Sequence, residues 1–230
     1  MRNIVTIGGS YGIGRAIAEH SIAEGNHVTI ASRTQEDRLQ DAAYIAFNAD
    51  EEEPDYAGFP DEIDGLVYCP GSINLRPFGN LKAKDFHQDI QVNFFNMVRH
   101  IQGLMPRLKK SSDPSIVLFS TVAVQTGMPF HTSVAAAKGA VEGFARALAA
   151  EMAPKMRVNV IAPSLTDTPL ASRLLANDRQ RESAAERHPL KRVGQAQDIA
   201  SAAAFLLGTQ SSWMTGQVIH VDGGMSSLRV

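Results

Sequence analysis

Short apolar runs rich in β-branched residues alternate along this chain with longer stretches whose apolar positions recur every three or four residues. The short runs predict strands, at Asn3–Ile7, His27–Ala31, Tyr44–Phe47, Gly65–Tyr68, Ser115–Phe119, Arg157–Ile161 and Gln217–Val221. The longer patterns predict helices at Ile13–Glu24, Lys84–Leu108, Val134–Met152 and Ala196–Leu207. Strand–helix alternation of this kind predicts a doubly wound α/β domain, a parallel sheet with helices on both faces. The segment Asp50–Asp64 departs from the pattern. It is short and acidic and carries Pro54 and Pro60, which predicts a loop or a single turn. The run Glu51-Glu52-Glu53 within it reads as a solvated face. No repeat, low-complexity tract or Pro/Gly/Ser linker divides the chain, so residues 1–230 are read as one domain.

Composition narrows the partners. The 230 residues are 44% hydrophobic and 20% charged, enough to bury a sizeable core. Lys and Arg number 22 against 24 Asp and Glu, a formal charge of −2 that argues against a nucleic-acid surface. The single cysteine, Cys69, excludes a disulfide framework and a cysteine zinc site, and no metal is expected. No run of 18 apolar residues suggests a membrane span. The start, Met1-Arg2-Asn3-Ile4-Val5, lacks the apolar stretch of a signal peptide, so a cytoplasmic protein is expected.

Candidate chemistry begins directly after the first strand. Gly8-Gly9-Ser10-Tyr11-Gly12-Ile13-Gly14 has the spacing G-x-x-x-G-x-G and opens the first helix. Glycines there permit a tight turn and let the backbone approach a pyrophosphate, and the helix N-terminus adds free N–H groups and a positive dipole end. Gly8, Ser10, Tyr11, Gly12, Ile13 and Gly14 are therefore candidate dinucleotide contacts. The end of the second strand, Ala31-Ser32-Arg33-Thr34, has no acid to bind ribose hydroxyls. Ser32 and Arg33 instead suit a 2′-phosphate, which favours NADP(H) over NAD(H).

At this point the chain resembles the short-chain dehydrogenase/reductase family nearly end to end. The glycine loop fits the family's pattern. Asp64-Gly65-Leu66-Val67-Tyr68-Cys69-Pro70-Gly71 looks like its fourth strand and N-N-A-G signature, of which Gly71 survives. Asn93 matches the asparagine of the long fourth helix, and Asn48 a position that meets the adenine. Pro163-Ser164-Leu165-Thr166-Asp167-Thr168 looks like the P-G loop, with Ser164 in place of glycine and with Thr166 and Thr168 as cofactor contacts. Arg192-Val193-Gly194, Thr215-Gly216-Gln217 and Val221-Asp222-Gly223-Gly224 are typical of its last third. The resemblance implies a single Rossmann-type domain with a seven-stranded parallel sheet, a small-molecule substrate and a homodimer or homotetramer. It also implies that Leu170–His188 forms a lid carrying specificity. Arg173, Arg179, Arg181 and Arg187 in that region read first as a solvated helix face, with an acidic ligand as the other reading.

The family's chemistry uses Ser, Tyr and Lys. The Tyr protonates the carbonyl oxygen, and the Lys, four residues on along one helix face, lowers the phenol's pKa and holds the nicotinamide ribose. Here the matching positions are Thr121, Val134 and Lys138, and no tyrosine follows Tyr68. Valine cannot donate a proton, a contribution typically worth about 10²–10⁴ in rate. Three readings are open. Hydride passes to an activated C=C bond, whose charge delocalises. Or another acid serves carbonyl reduction, with His131 as first candidate and Tyr68 or Cys69 as lesser ones. Or the protein binds NADP(H) without turnover, as a sensor or partner subunit. Lys138, Thr121, Asn93 and the glycine loop favour hydride chemistry, with C=C ahead of C=O.

Overall fold

The computed structural model describes residues 1–34 and 37–229. Its strands are β1 (Asn3–Ile7), β2 (His27–Ser32), β3 (Ala42–Ala46), β4 (Gly65–Tyr68), β5 (Ser115–Phe119), β6 (Arg157–Pro163), β7 (Thr166–Asp167), β8 (Gly194–Gln195) and β9 (Val218–Val221). Its helices are α1 (Gly12–Ala23), α2 (Ala83–Ile90), α3 (Asn96–Leu108), α4 (Val122–Thr126), α5 (Thr132–Met152), α6 (Asp178–Glu186) and α7 (Ala196–Leu207). Seven strands form one parallel sheet in the order β3-β2-β1-β4-β5-β6-β9, and β7 pairs with β8 apart from it. This is the expected seven-stranded α/β architecture.

Alternation along each strand builds two cores. Val5, Leu66, Tyr68, Ile116, Leu118 and Val158 face α3 and α5, where Met97, Ile101, Leu104 and Val141 meet them. Ile4, Val67, Val117, Phe119 and Ile161 face the other way, onto Ile17 of α1 and Ile199, Ala203 and Leu206 of α7. Both faces of the sheet are therefore covered, which is why its strands read as nearly unbroken apolar runs.

Three departures from the sequence reading have physical causes. The third strand starts earlier, because Ala42 and Ala43 pair with Val28 and Thr29, and alanine carries little strand signal. Strand β6 runs on to Pro163, which pairs with Val221. The helix expected over Lys84–Leu108 is interrupted by a π turn at Gln91–Phe95, where the Asn96 N–H reaches back to the Gln91 carbonyl. Within this turn the buried Asn93 side chain donates to the Asp89 carbonyl at 2.8 Å. The segment 50–64 holds turns and no helix, as its prolines predict, and Glu51, Glu52 and Glu53 are exposed.

The strand order reverses beside β1, so β1 and β4 splay their following loops to opposite sides and leave a crevice at their carboxyl ends. A Cβ at Gly8 would lie 3.1 Å from the Pro70 ring, which shows how closely the two loops approach at this switch point.

Candidate active site

The glycine loop is shaped as its spacing predicts. Gly8 and Gly12 have φ of 80° and 55°, and a Cβ at Gly14 would fall 2.4 Å from the Gly8 carbonyl oxygen. Tyr11 caps α1 without a side-chain bond, and the first turn holds no acid. The first-turn N–H groups are thus free of side-chain competition, and the cradle fits a pyrophosphate. The loop is pinned from below: the Ser10 and Ser32 hydroxyls touch each other, and both donate to the Thr34 carbonyl, at 2.6 and 2.8 Å. Ser32 is buried in that contact. Arg33 projects outward, 3.7 Å from the Asp50 carboxylate. Asn48 is half-buried, and its side-chain oxygen accepts from the Asp50 N–H at 3.2 Å.

Beside this loop a cavity of about 460 Å³ opens at the carboxyl edge of the sheet, the size of a small-molecule site. Ile13, Gly71, Thr121, His131, Lys138, Thr166 and Thr168 all line it, so most of the residues singled out in the sequence converge. A Cβ on Gly12 would touch Thr168 at 3.2 Å, which closes the ring between the glycine loop and the loop after β6. The Thr166 hydroxyl donates to Ser164 O at 3.0 Å, and that of Thr168 to Thr166 O at 3.4 Å. Thr121 caps α4, accepting from the Ala123 N–H at 3.3 Å. His131 precedes α5 with Nδ1 2.7 Å from the Pro129 carbonyl.

Lys138 is the buried cation of this site. Its Nζ donates to the Phe119 carbonyl at 2.9 Å, and burial pushes its pKa down to about 8. One turn earlier on α5, Val134 forms part of the wall with 6% of its surface exposed, and no tyrosine lines the cavity among the described residues. Asn93 stands one layer behind. Its side chain donates to Ser72 Oγ at 2.8 Å, and a Cβ on Gly71 would lie 3.1 Å from its oxygen and 3.5 Å from Lys138 Nζ. Gly71 is thus the close approach between the β4 loop and the two polar groups behind it.

Two candidates change. Tyr68 is not in the cavity: it faces the core, stacks on His100 at 5.9 Å and reaches the Val92 carbonyl at 3.4 Å. Neighbours on a strand point to opposite faces, so Cys69 reaches the cavity instead, its thiol pushed up to about 12 by burial. Burial keeps that thiol in its protonated form near neutral pH. Of the four arginines, Arg187 lines the cavity, while Arg181 is exposed and pairs with Asp167.

The sequence reading missed two features. The apolar wall of Ile73, Leu75, Met128, Leu170 and Leu174 comes from loops and short turns that carry no periodicity. His188 is buried and contacts the Ser164 hydroxyl, with Nε2 to Oγ at 2.9 Å. Nothing in its sequence neighbourhood signals that contact.

Comparison with known proteins identifies the family. Residues 56–226 match a family model described as enoyl-(acyl carrier protein) reductase. A 3-oxoacyl-[acyl-carrier-protein] reductase of Salmonella typhimurium is 32% identical, over 95% of this chain and 94% of its own. The ligand-free aldohexose dehydrogenase of Thermoplasma acidophilum superposes with a TM-score of 0.91 at 27% identity, covering 99% of this chain and 95% of that one. ElxO, solved with NADP bound, superposes at 0.88 with 25% identity, over 99% of this chain and all of the other. With its fold, glycine loop and lysine placed as described, the chain belongs to the short-chain dehydrogenase/reductase family of oxidoreductases.

Proposed function

We propose that this protein is an NADPH-dependent reductase of apolar small molecules bearing an activated C=C bond, with a ketone or aldehyde as the less favoured acceptor. The observation that carries this reading is Val134 in the cavity wall one turn before Lys138. When bound, the nicotinamide supplies a hydride. Lys138 holds the cofactor's ribose through its free N–H bonds, and Thr121 offers a hydroxyl to the substrate. Neither places a phenol-like acid at the reacting oxygen. An alkoxide formed there would lack about 3–5 kcal/mol of stabilisation, whereas an enolate spreads its charge over several atoms. The apolar wall suits a hydrophobic acceptor, and the enoyl reductase description of the matched model supports the same chemistry. NADPH is favoured by Arg33 at the end of β2 and by the absence of an acid there, and ElxO is a relative solved with NADP.

His131 is a second candidate acid, since it lines the same cavity. Self-association as a dimer or tetramer fits the low relief of α5. Ala136, Gly143, Ala147 and Ala150 are exposed on it, and a Cβ at Gly143 would meet nothing within 4 Å. The functional test is NADPH oxidation with matched pairs of enones and saturated ketones. Enones are expected to be the better substrates. Faster ketone reduction would refute the reading and direct attention to His131→Ala. Silence across the panel with tight NADPH binding would favour a binding protein.

A further inference from the structure

The family's P-G loop carries serine here, and the structure gives that serine a partner. Ser164 is half-buried in the wall of the 460 Å³ cavity. Behind it sits His188, whose imidazole is almost wholly enclosed and packs on Gly223. His188 Nδ1 lies 2.8 Å from the Ala184 carbonyl, which can only accept, so Nδ1 carries a proton. Nε2 is thereby the atom turned to Ser164 Oγ, at 2.9 Å. The remaining neighbour of the hydroxyl is Met225 Sδ at 3.4 Å, a weak acceptor. His188 also lines a second cavity, of about 190 Å³, whose charged groups are Asp222, Arg192 and Asp198; the last two pair with each other. Ser164 borders both spaces.

We propose that Ser164 is the catalytic hydroxyl that binds the carbonyl oxygen of the substrate, and that His188 is the positioning residue that restores its proton. The proposal rests on the reductase reading. As hydride reaches the β-carbon of an enone, the C=C pair shifts and the carbonyl pair moves onto oxygen. That oxygen takes the Ser164 proton, and Ser164 Oγ takes one from Nε2 of protonated His188. The enol then tautomerises to the saturated carbonyl compound. His188 regains its proton from solvent through the second cavity, so the sum is one hydride and one proton added across the double bond. A serine hydroxyl is a weaker acid than a phenol, so a serine backed by an imidazole suits the spread charge of an enolate and not the localised charge of an alkoxide.

Two readouts test it, one independent of turnover. With NADP+ bound, the inert probe 4-phenyl-2-butanone is titrated into wild type, Ser164→Ala and Ser164→Thr. Ser164→Ala is expected to weaken the probe at least about fivefold while NADP+ affinity stays within twofold, and Ser164→Thr to restore it. In turnover, benzalacetone serves as enone. Ser164→Ala and His188→Gln are expected to lower kcat at least about tenfold with little change in KM, and His188→Gln to raise the solvent isotope effect. Thermal midpoints identify any variant that fails to fold, and Ser164→Thr keeps the test decisive in that case. Unchanged probe affinity and kcat in Ser164→Ala would overturn the proposal, as would a wild type that does not bind the probe. Probe binding that depends on Ser164 without any NADPH oxidation would sink the reductase reading while leaving Ser164 as the oxygen-binding group.

Discussion

Lys138, Arg33 and Ser164 show how differently single residues disclose their roles. Lys138 was legible because it lies on a periodic helix next to a matched motif, and the structure puts it in the cavity wall with its ammonium on the Phe119 carbonyl. Ser164 was visible as a substitution but not as a contact, because its partner His188 is 24 positions away and joins it only in the folded chain. Tyr68 failed as a candidate because strand alternation turns it to the core. Two predictions belong at this scale. Replacing Arg33 with Ala is expected to remove about 1.5–3 kcal/mol of NADPH affinity, the worth of a hydrogen bond to a charged group, and to leave NADH nearly unchanged; calorimetric titration of both cofactors measures it. Lys138 has its pKa lowered to about 8 by burial, so its ammonium is present below that value and lost as pH rises through it. Turnover and NADPH affinity are therefore expected to decline across that range, and Lys138→Met to lower both and flatten the decline. A profile level from pH 7 to 10 in the wild type would contradict the assignment.

At the scale of elements, periodicity located the sheet and the long helices, while features fixed by side-chain contacts at a distance were hidden. The π turn at Gln91–Phe95 leaves the hydrophobic pattern of α2 and α3 intact, so it has no signature in spacing. Arg157 reads as the start of a strand. In the structure it is buried and bonds the Leu206 and Gly208 carbonyls at 2.8 and 3.1 Å, closing the orphan end of α7. Gly103, inside α3, is likewise explained only by what faces it: a Cβ there would lie 2.2 Å from the Tyr56 ring. That ring is held by Phe59 and by the 2.9 Å contact of its hydroxyl with His100. Gly103→Ala gains about 1 kcal/mol of helix propensity but forces this cluster apart, at about 1–3 kcal/mol, and is expected to destabilise in denaturant titrations. His100 adds a pH dependence. Burial lowers its pKa, so the folded state favours the neutral ring. The unfolded chain binds the proton first as pH falls below about 6.5, and stability is expected to drop from there downward. His100→Gln should weaken that acid dependence, and a variant with an unchanged slope would remove His100 as its source.

The whole molecule was the most legible level, because strand–helix order and one glycine loop restrict the topologies to very few. The substrate cavity was the least legible, since its apolar wall is assembled from segments between the periodic elements. The surface carries a further expectation. Trp213 is 99% exposed and Phe205 also faces out, while α5 presents its small-residue face. Sedimentation is expected to show a dimer or larger, and Gly143→Trp to lower its mass; a monomeric wild type would contradict this. The central claim concerns where the hydride goes, and an enone offers both acceptor carbons in one molecule. Benzalacetone reduced with NADPH deuterated at both C4 positions reports the choice directly by mass spectrometry and NMR. Deuterium at the β-carbon of a saturated ketone is the predicted result. Deuterium at the carbinol carbon of an allylic alcohol would contradict the account.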